Sequence, residues 1–230
     1  MSLTDVRTLW HLARGMPSSG DHGQRLSAFY GPQADHYDSF RDRLLPGRAD
    51  LLAWLAPSPG ESIVELGAGT GRNPHFLGSR LQMLGELTLV DLCAPLLDKA
   101  RKRWAADRNV RVVEADACTW RPEQPVDAVY FAYSLTMIPD WRAAMTNAIA
   151  MLRPGGRLGV IDFTLLPQQG WLAKKLWHRW FCHDGVRLDP EHMASLRRML
   201  PMHELRQRRS PVPYLPSLAV PYYLFLGIKE

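Results

Sequence analysis

Between an apolar run and a helical pattern lie the residues Glu65-Leu66-Gly67-Ala68-Gly69-Thr70-Gly71-Arg72-Asn73. Glycines at alternate positions permit a tight turn and let backbone N–H groups approach a ligand closely. A dinucleotide fingerprint would need G-x-G-x-x-G. Counted from Gly67 the sixth position is Arg72, and counted from Gly69 it is Pro74, so that pattern fails. Asp91 ends a second apolar run, 20 residues after Gly71. A carboxylate there can accept hydrogen bonds from both hydroxyls of a ribose. Asp116-Ala117 follows a third run, which puts Asp116 beside an adenine amino group. Any one of these features alone suits an ordinary turn or a solubilised strand end. Glu65, Asp91 and Asp116 at matching strand ends point together to a nucleoside-bearing ligand. The fourth run ends in Ala132-Tyr133-Ser134-Leu135-Thr136-Met137.

Tyr30, Tyr37, Tyr133, Tyr214, Tyr222 and Tyr223 are six of the seven tyrosines, and all fall in segments expected at one pocket mouth. An aromatic face stabilises a cation by about 0.5–2 kcal/mol, so converging rings would favour a substrate or product carrying positive charge. Ordinary amphipathic packing accounts for such tyrosines equally well. His36, His178 and His183 are candidate bases, with plain surface histidine as the simpler reading. In residues 171–183, Leu172, Leu176, Trp177, Trp180 and Phe181 share one helical face, with Lys174, Lys175, His178 and Arg179 largely opposite. That composition suits an interfacial helix, or a lid that packs its tryptophans inward.

Positioning these groups takes alternating strands and helices. The expected strands are Ile63–Leu66, Leu87–Val90, Val110–Val113, Val126–Phe131 and Arg157–Phe163, with Tyr222–Ile228 last. Helices are expected over residues 73–83 (Asn73 capping, Pro74 at the first position), Pro95–Ala106 and Trp141–Leu152. Such alternation implies an α/β fold with a parallel sheet covered on both faces. One domain of 230 residues is expected, with residues 1–55 as a helical N-terminal cover, 56–163 as the ligand-binding core, 164–221 as a basic aromatic lid and 222–230 as the last strand. The hydrophobic fraction of 46% excludes disordered and collagen-like classes. Cys93, Cys118 and Cys182 form neither a CxxC pair nor an even disulfide set, so a reducing, cytoplasmic setting is expected without a metal site. No apolar run is long enough to span a bilayer, and the first residues lack a secretory h-region. The net charge of +5 sits in residues 171–210, which hold nine basic and four acidic residues. An anionic partner would be met there; no nucleic-acid module accompanies it, so no nucleic acid is expected as a partner.

The Glu65 to Gly71 loop resembles motif I of class I S-adenosylmethionine-dependent methyltransferases, in which an acid two residues before the first glycine heads a G-x-G-x-G turn. Asp91, Asp116, the segment from Ala132 and the Arg153-Pro154-Gly155-Gly156 turn match the same family over roughly residues 60–163. The resemblance implies a Rossmann-like seven-stranded sheet and S-adenosylmethionine as cofactor, with S-adenosylhomocysteine as product. It implies that Glu65 helps orient the cofactor's amino group. The implied cofactor contacts are Tyr30, Tyr37, Glu65, Gly67, Gly69, Gly71, Asn73, Asp91, Leu92, Asp116, Ala117, Tyr133 and Ser134. Longer stretches, Tyr37 to Arg48, Trp180 to Val186, Pro213 to Pro216 and Val220 to Gly227, are similar to the methyltransferase of betaine-lipid synthesis. That family trimethylates the amine of diacylglyceryl-homoserine to diacylglyceryl-trimethylhomoserine. The resemblance implies Tyr37, Tyr133, Tyr222 and Arg41 at the reacting centre, with Arg41 pairing the homoserine carboxylate. It further implies an amino-lipid substrate, peripheral contact with an anionic membrane surface and a separate homoserine-transferring enzyme. A methyltransferase of the same fold for a soluble metabolite or quinone is the alternative, and a non-catalytic cofactor-binding scaffold is a third class.

Overall fold

The computed structural model describes residues 15–17, 19–33, 38, 42, 44–165, 171, 175, 177, 181, 185–212 and 215–230. Helix α1, His22–Tyr30, opens with a capping box in which Asp21 accepts from the Gln24 N–H and the Gln24 side chain accepts from the Asp21 N–H. Helix α2 is Arg48–Leu55. The core follows as β1 (Ser62–Leu66), β2 (Glu86–Asp91), α3 (Ala94–Arg103), β3 (Val110–Glu114), β4 (Val126–Ala132), α4 (Trp141–Met151) and β5 (Leu152–Phe163). Helix α5 (Glu191–Met199), β6 (His203–Val212) and β7 (Leu215–Ile228) complete it.

The sheet order is β3-β2-β1-β4-β5-β7-β6. Strands β1 to β5 are parallel neighbours, and β7 runs antiparallel to both β5 and β6. The fold is therefore the seven-stranded α/β sheet expected of the sequence, with a reversed strand near one edge. Side chains alternate across it. Ile63, Leu87, Leu89, Tyr130, Ile161 and Leu224 pack with Leu51, Leu52 and Leu55 of α2 on one face. Val64, Val129, Phe131, Val160 and Phe225 pack with Ala144, Met145 and Ala148 of α4 on the other. Glu65 has the same parity as Ile63, so it points into the α2 face beside Tyr130 and is fully buried.

Several elements differ from the sequence expectation. Residues Asn73–Met83 form 3-10 turns broken at Gly78, which has φ 56° and ψ −132°. Asn73 makes no cap; its side chain is taken by buried partners instead. Strand β5 starts at Leu152 and absorbs the glycine turn, where Gly155 has φ 75°. The segment expected as a lid holds α5, β6 and the first part of β7. The prolines and arginines there masked a hairpin: Pro211 sits at a register shift and Pro221 lies opposite Arg209 near one end of the pairing.

Candidate active site

The carboxyl ends of β1 to β4 meet on one side of the sheet, where open α/β sheets bind ligands. A cavity of about 240 Å³ lies there. Its walls include Gly67 and Gly69 after β1, Asp91, Leu92 and Cys93 after β2, Asp116, Ala117 and Cys118 after β3, and Tyr133, Ser134 and Met137 after β4. Helix α1 closes it with His22, Leu26 and Tyr30.

Each acid is fixed by the loop it sits in. Asp91 accepts from the Gly69 N–H at 2.7 Å through one oxygen and from the Cys93 N–H at 2.8 Å through the other. Burial raises its carboxyl above the ordinary aspartate range, opposed by those N–H groups. Asp116 accepts from the Cys118 N–H at 2.8 Å in a local Asx turn. Both carboxylates are thus held by backbone donors at the cavity wall, with lone pairs left for ligand donors.

The glycines divide by role. A Cβ on Gly67, which has φ 76°, would lie 2.3 Å from the Ser134 Cβ, so only glycine lets β1 and β4 close on each other here. Ser134 seals that contact by donating to the Leu66 carbonyl at 2.7 Å. Gly71 lines neither this cavity nor its neighbour. A Cβ there would lie 2.9 Å from the Trp104 Nε1, which already donates to the Gly71 carbonyl at 2.8 Å. Gly71, expected among the ligand contacts, thus seats α3 against the loop from outside both cavities.

Glu65 is expected to help orient the cofactor's amino group. It lies beneath the loop and lines neither cavity, accepting from Asn73 Nδ2 at 2.6 Å and from the Tyr130 hydroxyl at 2.7 Å. Burial pushes its carboxyl up to about 7, against the pull of Asn73, Tyr130 and Arg48. Asn73 turns its other amide atom to Arg48, whose Nη1 donates at 3.0 Å. Arg48 is 6% exposed and also donates from Nη2 to Asp42 at 2.7 Å and from Nε to the Leu45 carbonyl at 3.0 Å. Arg48, Asn73 and Arg72 line a smaller cavity of about 50 Å³, which shares Tyr30, Gly67, Gly69, Tyr133 and Met137 with the larger one.

Tyr133 stands where the two cavities meet. It holds φ 58°, an uncommon conformation for an aromatic residue, and donates its hydroxyl to the Pro46 carbonyl at 2.7 Å. Its ring packs on Phe163 (centroids 4.6 Å), Phe163 packs on Phe181 (4.7 Å), and Phe181 lies 5.8 Å from Trp177. Asp162, pushed up to about 6 by burial, accepts from the Thr136 N–H and hydroxyl and from the Phe163 N–H, pinning the loop after β4. Tyr30 also reaches the site, donating to the Met137 sulfur at 3.1 Å. Tyr222 and Tyr223 do not line either cavity. As neighbours on β7 they face opposite sides of the sheet, Tyr222 against Gly47 and Tyr223 in the α4 core. The expected tyrosine cluster thus narrows to Tyr30 and Tyr133 among the described residues. Tyr37, Arg41, His36, Tyr214, Trp180, His178 and His183 lie outside the described residues.

The sequence reading missed His22, Leu26, Cys93, Leu96, Cys118, Pro139 and Asp140 in the cavity wall. Cys93 and Cys118 each stand two positions after a carboxylate, a spacing that could have flagged them. His22 comes from a distant helix and carries no local signal. Among the described residues, no group of three His, Cys, Asp or Glu side chains could hold a metal ion.

The glycine cradle, the two backbone-held carboxylates and the strand order define a class I S-adenosylmethionine-dependent methyltransferase. The chain belongs to that family. A methyltransferase domain matches residues 63–156. An uncharacterized methyltransferase of Mycobacterium tuberculosis is 32% identical over 165 residues, covering 68% of this chain and 79% of that protein. A ubiquinone/menaquinone biosynthesis C-methyltransferase of Ruegeria sp. is 27% identical over 156 residues, covering 64% of this chain and 62% of that protein. Its match spans less than two thirds of that relative's length. In fold, the chain is similar to Haemonchus contortus phosphoethanolamine N-methyltransferase 2 in complex with S-adenosyl-L-methionine. The TM-score is 0.73 at 14% identity, over 92% of this chain and 60% of that one. The cofactor is S-adenosylmethionine, which supplies a methyl group on a sulfonium centre. The residues present fit it: Asp91 offers acceptors for ribose hydroxyls, Asp116 one for an adenine amino group, and Gly67 leaves room that a Cβ would fill.

Proposed function

We propose that this enzyme methylates an acceptor held at Tyr133, where the two cavities meet. Tyr133 carries the reading, because it lines both cavities and offers a ring there to an apolar or cationic acceptor, while the buried rings of Phe163, Phe181 and Trp177 hold it from behind. Catalysis by this chain then consists of alignment and water exclusion more than of acid–base chemistry. The quinone C-methyltransferase relative supports a quinone acceptor, or a soluble metabolite of similar size, more directly than any other chemistry.

A second reading is the amine of diacylglyceryl-homoserine, methylated up to three times. It is supported by the segments Tyr37 to Arg48 and Val220 to Gly227 and by the +5 charge of residues 171–210. In that case the enzyme works at an anionic membrane surface, downstream of a separate homoserine-transferring enzyme. Trp171, 73% exposed, and the exposed Lys175, Arg197 and Arg209 are among the described residues suited to such contact. No helix among the described residues is long and apolar enough to cross a membrane.

One experiment separates the readings. Co-expression with a homoserine-transferring enzyme, followed by mass spectrometry of the lipids, should give mono-, di- and trimethylated homoserine lipid if the amine is the acceptor. The purified enzyme should instead transfer labelled methyl to a demethylated quinol if the quinone reading holds. Absence of both products would leave the acceptor among soluble metabolites. Salt-sensitive flotation with anionic vesicles, and none with neutral ones, would support the surface role.

A further inference from the structure

We propose that Arg103 and Trp104, which line neither cavity, are positioning residues: they keep two peptides of the glycine loop from turning over, so cofactor affinity is set in part from outside the site. The inference rests on the cofactor alone and holds for either acceptor.

The loop needs such help because of its own composition. Gly67, Gly69 and Gly71 hold φ values of 76°, 55° and 62°. Glycine adopts positive and negative φ about equally readily. Sterics therefore do not decide which way a peptide beside a glycine faces, and hydrogen bonds must. The Leu66 carbonyl accepts from the Ser134 hydroxyl, and the Ala68 carbonyl accepts from the Gly71 N–H at 2.9 Å. The next two carbonyls are served from farther off. Thr70 accepts from Arg103 Nη1 at 2.5 Å and Gly71 from Trp104 Nε1 at 2.8 Å, each across 33 positions of sequence.

Helix α3 delivers both donors. Its ten residues span about 15 Å, with Arg103 the last of them and Trp104 at the C-cap. Helix and loop touch without spare room. A Cβ on Gly71 would lie 2.9 Å from Trp104 Nε1 and 3.1 Å from the Ala100 Cβ. The His75 ring packs on the indole at 4.7 Å. Arg103 is fixed in turn by Asp38, which also accepts from the Thr70 hydroxyl at 2.5 Å. Thr70 is thus tied by its hydroxyl and its carbonyl into a ring of three residues.

The C=O and N–H of a trans peptide point in opposite directions. With the Gly71 carbonyl turned to Trp104, the Arg72 N–H points away from α3. Thr70 and Arg72 line the smaller cavity, whereas Gly71 does not. Without the indole N–H, the buried Gly71 carbonyl loses its donor, and glycine offers little resistance to a peptide turning in search of another. A turned peptide would put an oxygen where the loop now presents an N–H.

Methylthioadenosine shares the nucleoside and the sulfur with S-adenosylhomocysteine and lacks the amino-acid portion. Trp104→Phe keeps an aromatic ring beside His75 and deletes the N–H. Calorimetry on this variant should show S-adenosylhomocysteine affinity reduced at least tenfold and methylthioadenosine affinity reduced less than threefold. Arg103→Met should show the same selective loss. Arg103→Lys keeps a donor for the Thr70 carbonyl and should recover at least threefold of it. Equal losses for the two ligands would make the pair structural only and overturn the proposal, as would an unchanged affinity for S-adenosylhomocysteine. Should Trp104→Phe melt below the assay temperature, the Arg103 variants carry the test, since that side chain is 23% exposed. A loss that lysine does not recover would then overturn it.

Discussion

The two ends of the cofactor site are built in different ways. At the nucleoside end, Asp91 and Asp116 are held by the backbone N–H groups of residues two positions on, with Gly69 as a third donor. At the loop end, the groups that matter hold one another through side chains across 8 to 65 positions of sequence: Asn73 to Glu65, Arg48 to Asn73, Tyr130 to Glu65. Backbone donors give a fixed, charge-tolerant frame whose cost is met by local turns. A side-chain relay gives a frame that depends on every member being present and in the right protonation state.

Perturbing the shared glycine should have the largest effect, since it touches both ends. Gly67→Val forces Cβ against Ser134 at a positive φ. Calorimetry should find S-adenosylmethionine affinity reduced by more than 100-fold, about 3 kcal/mol or more. A folded variant with normal affinity would mean the β1–β4 closure is irrelevant to binding.

The pH dependence of stability should expose the relay. Glu65 titrates near 7 in the fold, against an ordinary 4.5. A raised folded value means the contribution is fully present below 4.5 and is lost as pH rises through 7, amounting to about 3 kcal/mol at most. Glu65→Gln stays neutral throughout. Its stability relative to wild type, from urea melts, should therefore improve between pH 4.5 and 7 and level off above. A gap that does not change with pH would show that Glu65 is ionised in the fold and that the loop end resembles the nucleoside end after all.

Asp91→Asn leaves one acceptor for two backbone donors and removes a carboxylate from the cavity wall. Cofactor affinity should fall by about 1–3 kcal/mol with no comparable change in its pH profile. Unchanged affinity in the folded variant would remove Asp91 from the site. The smallest effect belongs to Tyr133→Phe, which loses the bond to the Pro46 carbonyl but keeps the ring on Phe163. About 1 kcal/mol of stability should go, with affinity nearly intact. A large loss of turnover with little loss of stability would instead give the hydroxyl a role in the reaction.

The same contrast explains what was legible in the sequence. Asp91, Asp116 and the glycines are read from spacing because strand, loop and acid are contiguous, and local geometry carries the chemistry. Arg48 was invisible as a site residue because its importance lies in burial beside Asn73, 25 positions away. Asn73 was misread as a helix cap because Asn before Pro is a common start signal, and here two buried partners compete successfully for its amide. Tyr222 and Tyr223 were grouped with the site by composition, but the two-residue period of a strand sends them to opposite faces. The β6–β7 hairpin was hidden by prolines that usually discourage strands.

Among the described residues strand β6 is the last of the sheet, with β7 as its one strand neighbour. Bare edges of this kind invite strands of other molecules to add on, which is how aggregation starts. Here the edge carries Arg206, Arg208 and Arg209, all exposed, with Pro211 near its far end. Arg206 pairs with Glu204 and Arg208 with Asp50, and Pro211 offers no N–H to a neighbouring strand. Arginines and a proline on an outer strand are features that disfavour the addition of a further strand.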